Sequence, residues 1–125
     1  RIIQLASVAA FLPQKNFAIY AASKSYVLSF SRALNEELKD LDITVTAVCP
    51  GPVDTPFFDL AEKDGKTLAI KKLTIATPEK VVEKAIKDSF HKKRVSVYGF
   101  YIKAFHAASK VVPHQVILTI MRYMK

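Results

Sequence analysis

Cysteine is nearly absent from this sequence. Cys49 stands alone among 125 residues, which excludes an intramolecular disulfide and any cysteine-based zinc cluster. A lone thiol fits a reducing, cytoplasmic setting. No apolar run reaches the ~18 residues that a membrane-spanning helix needs. His91, His106 and His114 show no metal-ligand spacing, so no metal is expected. Internal repeats and low-complexity segments are missing too. Acidic residues stop at Asp88. Beyond it lie Lys92, Lys93, Arg94, Lys103, Lys110, Arg122 and Lys125, within a formal net charge of +8. Such a tail suits anionic lipid, nucleic acid or an acidic carrier protein, while the plainer reading is a solvated face of a basic protein. The chain also opens without methionine or a signal peptide. Its first residues, Arg1-Ile2-Ile3-Gln4-Leu5, start a strand-like run with no turn before it, which creates the expectation of a fragment of a longer protein.

What is present is a sequence that can build a core. Half of the residues are hydrophobic and 24% are charged, ordinary for one soluble domain. Ile2 to Ser7 reads as a buried parallel strand, followed by a loop from Val8 to Phe17. From Ile19 to Lys39 the pattern is helical, with Ala22, Tyr26, Phe30, Ala33 and Leu34 recurring at three- and four-residue steps. Ile43 to Val48 is a β-branched strand, stopped by Cys49-Pro50-Gly51-Pro52. Phe57 to Leu73 suggests one or two short helices broken near Gly65. Thr77-Pro78-Glu79 marks the start of a helix running to about His91, with Thr77 as N-cap. Arg94 to Tyr98 is a third strand. Helices over Tyr101 to Val111 and His114 to Met124 follow, separated by Pro113. Alternation of this kind predicts an α/β fold with a parallel sheet covered by helices.

Three groups of residues carry chemistry. Tyr20 and Lys24 lie four apart at the start of a predicted helix and so share one face. A phenol is a poor acid–base catalyst at neutral pH, and an adjacent ammonium favours its phenolate. The pair is a way to make a proton donor and acceptor, although this spacing also arises often by chance. Ser7 ends the first strand, at the sheet edge where open parallel sheets place ligands. Its ordinary role would be a turn cap. At the end of the second strand, Pro50 and Gly51 remove side-chain bulk where a flat ring can approach. Val53 could offer backbone hydrogen bonds there and Thr55 a hydroxyl.

Taken together, Ser7, Tyr20-Ala21-Ala22-Ser23-Lys24 and Pro50-Gly51-Pro52-Val53-Asp54-Thr55 resemble the active-site signatures of the classical short-chain dehydrogenase/reductase family. The spacings of thirteen residues from Ser7 to Tyr20 and thirty from Tyr20 to Pro50 match as well. The tail, through Arg94-Val95-Ser96-Val97-Tyr98-Gly99, resembles a bacterial subgroup labelled DltE-like. The resemblance implies the carboxyl-terminal part of a doubly wound Rossmann sheet, with residues 1–125 as the catalytic portion of one domain. It implies an NAD(P)-dependent oxidoreductase that moves hydride between a nicotinamide cofactor, with NADP(H) slightly favoured, and a carbonyl or secondary alcohol. Tyr20 would be the general acid or base. Lys24 would assist it and hold the nicotinamide ribose, and Ser7 would hold the substrate oxygen. Tyr20, Lys24, Pro50, Gly51, Val53 and Thr55 would contact the cofactor.

The same resemblance implies a homodimer or tetramer built in part on Tyr26, Phe30 and Leu34, and a mobile lid at Phe57, Phe58 and Leu60 over an apolar substrate. No nucleic acid is implied. A helix covering the sheet or the substrate mouth is the favoured reading of His114 to Lys125, over an amphipathic contact with a membrane surface. Departures from the family pattern are the lack of a glycine-rich phosphate-binding turn, of the residue that separates NAD from NADP, and of an upstream catalytic asparagine. Asn16 and Asn35 do not stand in for that asparagine. Ala6 replaces a serine found in many members. The competing readings are a related epimerase or dehydratase, a non-catalytic relative kept for binding or regulation, and a basic membrane- or nucleic-acid-associated module.

Overall fold

The strand Val45–Val48 is buried along its whole length, and the rest of the chain is arranged around it. The computed structural model describes residues 1–56 and 75–123. In order these form β1 (Ile2–Leu5), a 3-10 turn (Val8–Phe11), α1 (Ala18–Glu37), a second 3-10 turn (Lys39–Leu41), β2 (Val45–Val48), α2 (Pro78–Phe90), β3 (Val95–Ser96), α3 (Phe100–Ser109) and α4 (His114–Tyr123). The short helices expected over Phe57 to Leu73, the lid at Phe57, Phe58 and Leu60, and the helix end at Met124 lie outside the described residues.

The sheet order is β1-β2-β3, and both pairings are parallel, as the alternating pattern predicts. Ile2 lies opposite Val45 and Leu5 opposite Val48, while Ala47 lies opposite Val95. Side chains alternate across the strand, so β2 feeds two cores. Ala47 joins Ala6, Phe11, Leu12, Leu28, Cys49 and Val97 in one cluster, which Ile102 and Ile117 from α3 and α4 help to close. Val48 joins Ala76, Val81 and Ala85 on the other side, against α2. The result is the expected three-stranded α/β layer structure.

The strands are shorter than predicted. β3 keeps two residues of the expected five, because Gly99, at φ 89°, turns the chain into α3. In the loop expected after β1, Ser7 caps a 3-10 turn by accepting a hydrogen bond from the Ala9 N–H at 3.2 Å. Thr77 precedes Pro78 as predicted but makes no side-chain cap bond.

Helix α1 turns one face inward and leaves the other open. The residues buried there are Ala21, Leu28, Ser31 and Asn35. Asn35 places its side-chain oxygen 2.9 Å from the Val45 N–H and so satisfies the first donor of β2. The more apolar stripe points outward: Tyr26 is 69% and Phe30 43% exposed, with their rings stacked at 6.0 Å. Ala21 and Ser31 allow close approach, Leu28 enters the core, and the buried asparagine is tolerated because its oxygen is paired.

Candidate active site

Ser7 sits where β1 ends, and the ladder between β1 and β2 continues past it. The Ala6 N–H donates to the Val48 carbonyl at 2.8 Å and the Val8 N–H to the Pro50 carbonyl at 3.0 Å. Ser7 is therefore held beside Cys49 and Pro50, and two of the three sequence-predicted groups meet at the carboxyl end of the sheet. Its side chain is largely buried. A hydroxyl has one donor and two acceptor positions. Accepting from Ala9 leaves the Ser7 O–H available to donate.

The third group comes from the first turns of α1, which packs on the turn Val8–Phe11. The Ser25 hydroxyl donates to the Ala10 carbonyl at 3.0 Å. Lys24 reaches back to β1, with Nζ 3.4 Å from the Leu5 carbonyl oxygen, two residues before Ser7. The same ammonium lies 5.7 Å from the centre of the Tyr20 ring. The four-residue spacing thus gives the shared face it predicts, and the amine is tethered to the strand that carries the serine.

The turn after β2 folds onto a distant segment. Val53 forms a parallel bridge with Ala76: the Ala76 N–H donates to the Pro52 carbonyl and the Asp54 N–H to the Ala76 carbonyl. In a parallel bridge the central residue's own N–H and C=O point to the opposite side, so Val53 directs one donor and one acceptor away from Ala76. That pair has the pattern a carboxamide requires. The Thr55 hydroxyl donates to the Val53 carbonyl at 3.4 Å. Cys49, between the two loops, is fully buried; burial pushes its thiol up to about 11, against smaller opposing effects of Arg32 and the Ser7 backbone. A thiol held neutral in this way is a packing group, not a nucleophile.

Two residues that no motif signals also reach these loops. Ile102 of α3 lies against Gly51, and the His106 ring stacks on Phe11 at 4.1 Å. Their four-residue spacing is ordinary helix periodicity, so nothing in the sequence marks them.

The short-chain dehydrogenase family model matches residues 1–66, more than half of the chain and all three groups. The chain belongs to the short-chain dehydrogenase family. An uncharacterized oxidoreductase of Staphylococcus epidermidis is 44% identical over 55 residues, which are 44% of this chain and 24% of that protein. The probable oxidoreductase EphD of Mycobacterium tuberculosis is 27% identical over 90% of this chain and 21% of its own length. Among solved structures, a short-chain dehydrogenase from Sphingobium yanoikuyae in complex with NADPH superposes with a TM-score of 0.69 at 24% identity, covering 99% of this chain and 45% of that one. The chain therefore spans about a quarter or less of these curated relatives, and a little under half of that short-chain dehydrogenase domain.

Proposed function

We propose that the protein to which these residues belong is an NAD(P)-dependent oxidoreductase acting on a carbonyl or secondary alcohol, with residues 1–125 as the catalytic portion of one Rossmann-type domain. The observation that carries this reading is the tether of Lys24 to Leu5, which holds an ammonium beside the Tyr20 ring at the sheet end where Ser7 lies. Membership of the short-chain dehydrogenase family supports it.

The residues fit a nicotinamide cofactor, because Val53 offers the donor and acceptor for its carboxamide; the side-chain position of Gly51, expected to leave room for a flat ring, is instead filled by Ile102. Lys24, Pro50, Gly51, Val53 and Thr55 would hold it, with Tyr20 alongside. When bound, the cofactor supplies the hydride chemistry. NADPH is the preferred form, in keeping with the NADPH complex of the Sphingobium enzyme. In the reducing direction the Ser7 hydroxyl donates a hydrogen bond to the carbonyl oxygen and fixes its position. The Tyr20 hydroxyl gives that oxygen its proton, and the Lys24 ammonium stabilises the negative charge left on the phenol oxygen. In the oxidising direction Tyr20 takes the proton back. The outward pair Tyr26 and Phe30 supports a homodimer or tetramer through α1.

The test is oxidation of NADPH by the full-length protein across a panel of ketones and aldehydes, with Tyr20→Phe as the paired variant. Losing a positioned acid–base group costs roughly 100- to 10,000-fold in kcat, while NADPH affinity should stay near that of the wild type. A Tyr20→Phe enzyme that turned over at the wild-type rate would remove Tyr20 from its assigned role.

A further inference from the structure

We propose that α3 is a clamp that holds the two site loops in register, with Ile102 as the positioning residue for the cofactor-side turn. This rests on the nicotinamide reading of Pro50 to Thr55 above and adds a residue to it from outside every motif.

Ile102 occupies the space where a side chain at position 51 would lie. A Cβ placed on Gly51 would lie 2.7 Å from Ile102 Cδ1 and 2.9 Å from Cγ1. Real Cβ atoms essentially never show such distances, so a side chain at position 51 requires the Ile102 side chain to move aside. The requirement is one of space, since Gly51 is not a positive-φ position. The turn and the helix are 51 residues apart in sequence. Gly99 starts α3 directly after β3, and the helix then crosses both loops at the end of the sheet. Its inward stripe is Ile102, His106 and Ser109, the half-buried positions of the helix.

Each of the first two positions on that stripe touches a different loop. Ile102 seals against the turn after β2 and packs on the cluster containing Ala6 and Cys49. One helical turn later, His106 lies nearly parallel to Phe11, at an interplanar angle of 18°. Phe11 closes the turn that Ser7 caps. One rigid helix face therefore sets the separation between the serine-bearing loop and the nicotinamide-facing turn. Core packing alone would make Ile102 matter for stability. A clamp makes it matter for how the turn meets the cofactor, and it makes Gly51 and Ile102 interdependent.

The experiment uses the full-length protein with NADPH as probe, in Gly51→Ala, Ile102→Ala, Ile102→Val and the two double variants of Gly51→Ala with each Ile102 change. The dissociation constant is read from NADPH fluorescence, with KM and kcat from turnover and Tm in parallel. Ile102→Ala should weaken NADPH binding about tenfold, a difference of ~1.4 kcal/mol, with a smaller effect on kcat. Gly51→Ala should also weaken binding by displacing the Ile102 side chain, and adding Ile102→Ala should restore much of what it lost, because the truncated side chain vacates the space the new methyl needs. Ile102→Val, which lacks Cδ1, should rescue partially; it also carries the test if the alanine variant does not fold. Additive losses in the double variants, or a lower Tm with unchanged NADPH affinity, would overturn the clamp. Failure of the wild type to bind NADPH or NADH would overturn the functional reading itself, with no variant required.

Discussion

His106 places a titratable ring against an aromatic surface. Its Nε2 is buried and has no hydrogen-bond partner among the described residues. Burial, and then repulsion from Lys110 and Arg32, lowers its pKa below the ordinary value of 6.5. Well above pH 6.5 the ring is neutral in both folded and unfolded chains and its titration does not affect stability. As pH falls from 6.5 toward the lowered folded value, the unfolded chain takes up the proton first, so stability is lost over that interval. His106→Phe keeps a ring on Phe11 and removes the titration. The variant should show a flatter fall in Tm between pH 6.5 and 5 than the wild type does. Equal slopes in the two proteins would mean that the acid sensitivity comes from other groups. None of this is legible from the sequence, where His106 is one of three scattered histidines. The closeness of Tyr20 and Lys24 is legible because a four-residue spacing puts two side chains on one helix face.

Between elements, the joint of α2 with β3 depends on one buried carboxylate. Asp88 is 3% exposed. It accepts from the Ser96 hydroxyl at 2.8 Å, pairs with Lys93 at 3.0 Å, and pairs with Lys84 one turn earlier on its own helix. Burial alone would raise its pKa. The hydrogen bonds from Lys84, Lys93 and Ser96, with the charge of Lys84, outweigh that and hold the carboxyl ionised below its ordinary range. Asp88→Ala leaves the Ser96 hydroxyl buried without its partner and two lysines without theirs. Leaving the buried Ser96 hydroxyl unpaired costs roughly 1 to 3 kcal/mol, and the partly exposed lysines add little to that. Urea unfolding of the full-length protein should show that loss, and a change under ~0.5 kcal/mol would mean that the network adds nothing to the joint. Helices and strands were readable from periodicity because each is a local repeat. Asp88, by contrast, reads as one more surface acid on an amphipathic helix. Its burial follows from the return of Lys93 to Ser96 onto the same helix, a non-local fact. The partner of the outward face of α1 is not legible for a related reason. Apolarity marks a face that will be covered, but not by what, and here Ala21, Leu28, Ser31 and Asn35 are buried while Tyr26 and Phe30 stay exposed.

For the whole molecule, the decisive feature is an edge. β1 has β2 on one side and no strand on the other among the described residues. Ile3 is 47% and Leu5 64% exposed, and on α2 Val82, Ile86 and Phe90 are also open to solvent. An unpaired strand with apolar side chains is a template for another chain, and an apolar patch of this kind calls for cover. The match to the Sphingobium enzyme extends over 45% of that chain, and no glycine-rich phosphate turn occurs within residues 1–125. Residues 1–125 produced alone should therefore associate as concentration rises, detectable by light scattering. They should also hold NADPH far more weakly than the full-length protein, because a cofactor gripped only at its nicotinamide end forgoes the phosphate contacts that a helix N-terminus provides. The same fluorescence titration run on both forms separates the alternatives. A monomeric 125-residue segment with micromolar NADPH affinity would show that the exposed edge is harmless and that the residues around Tyr20, Lys24 and Val53 suffice for binding.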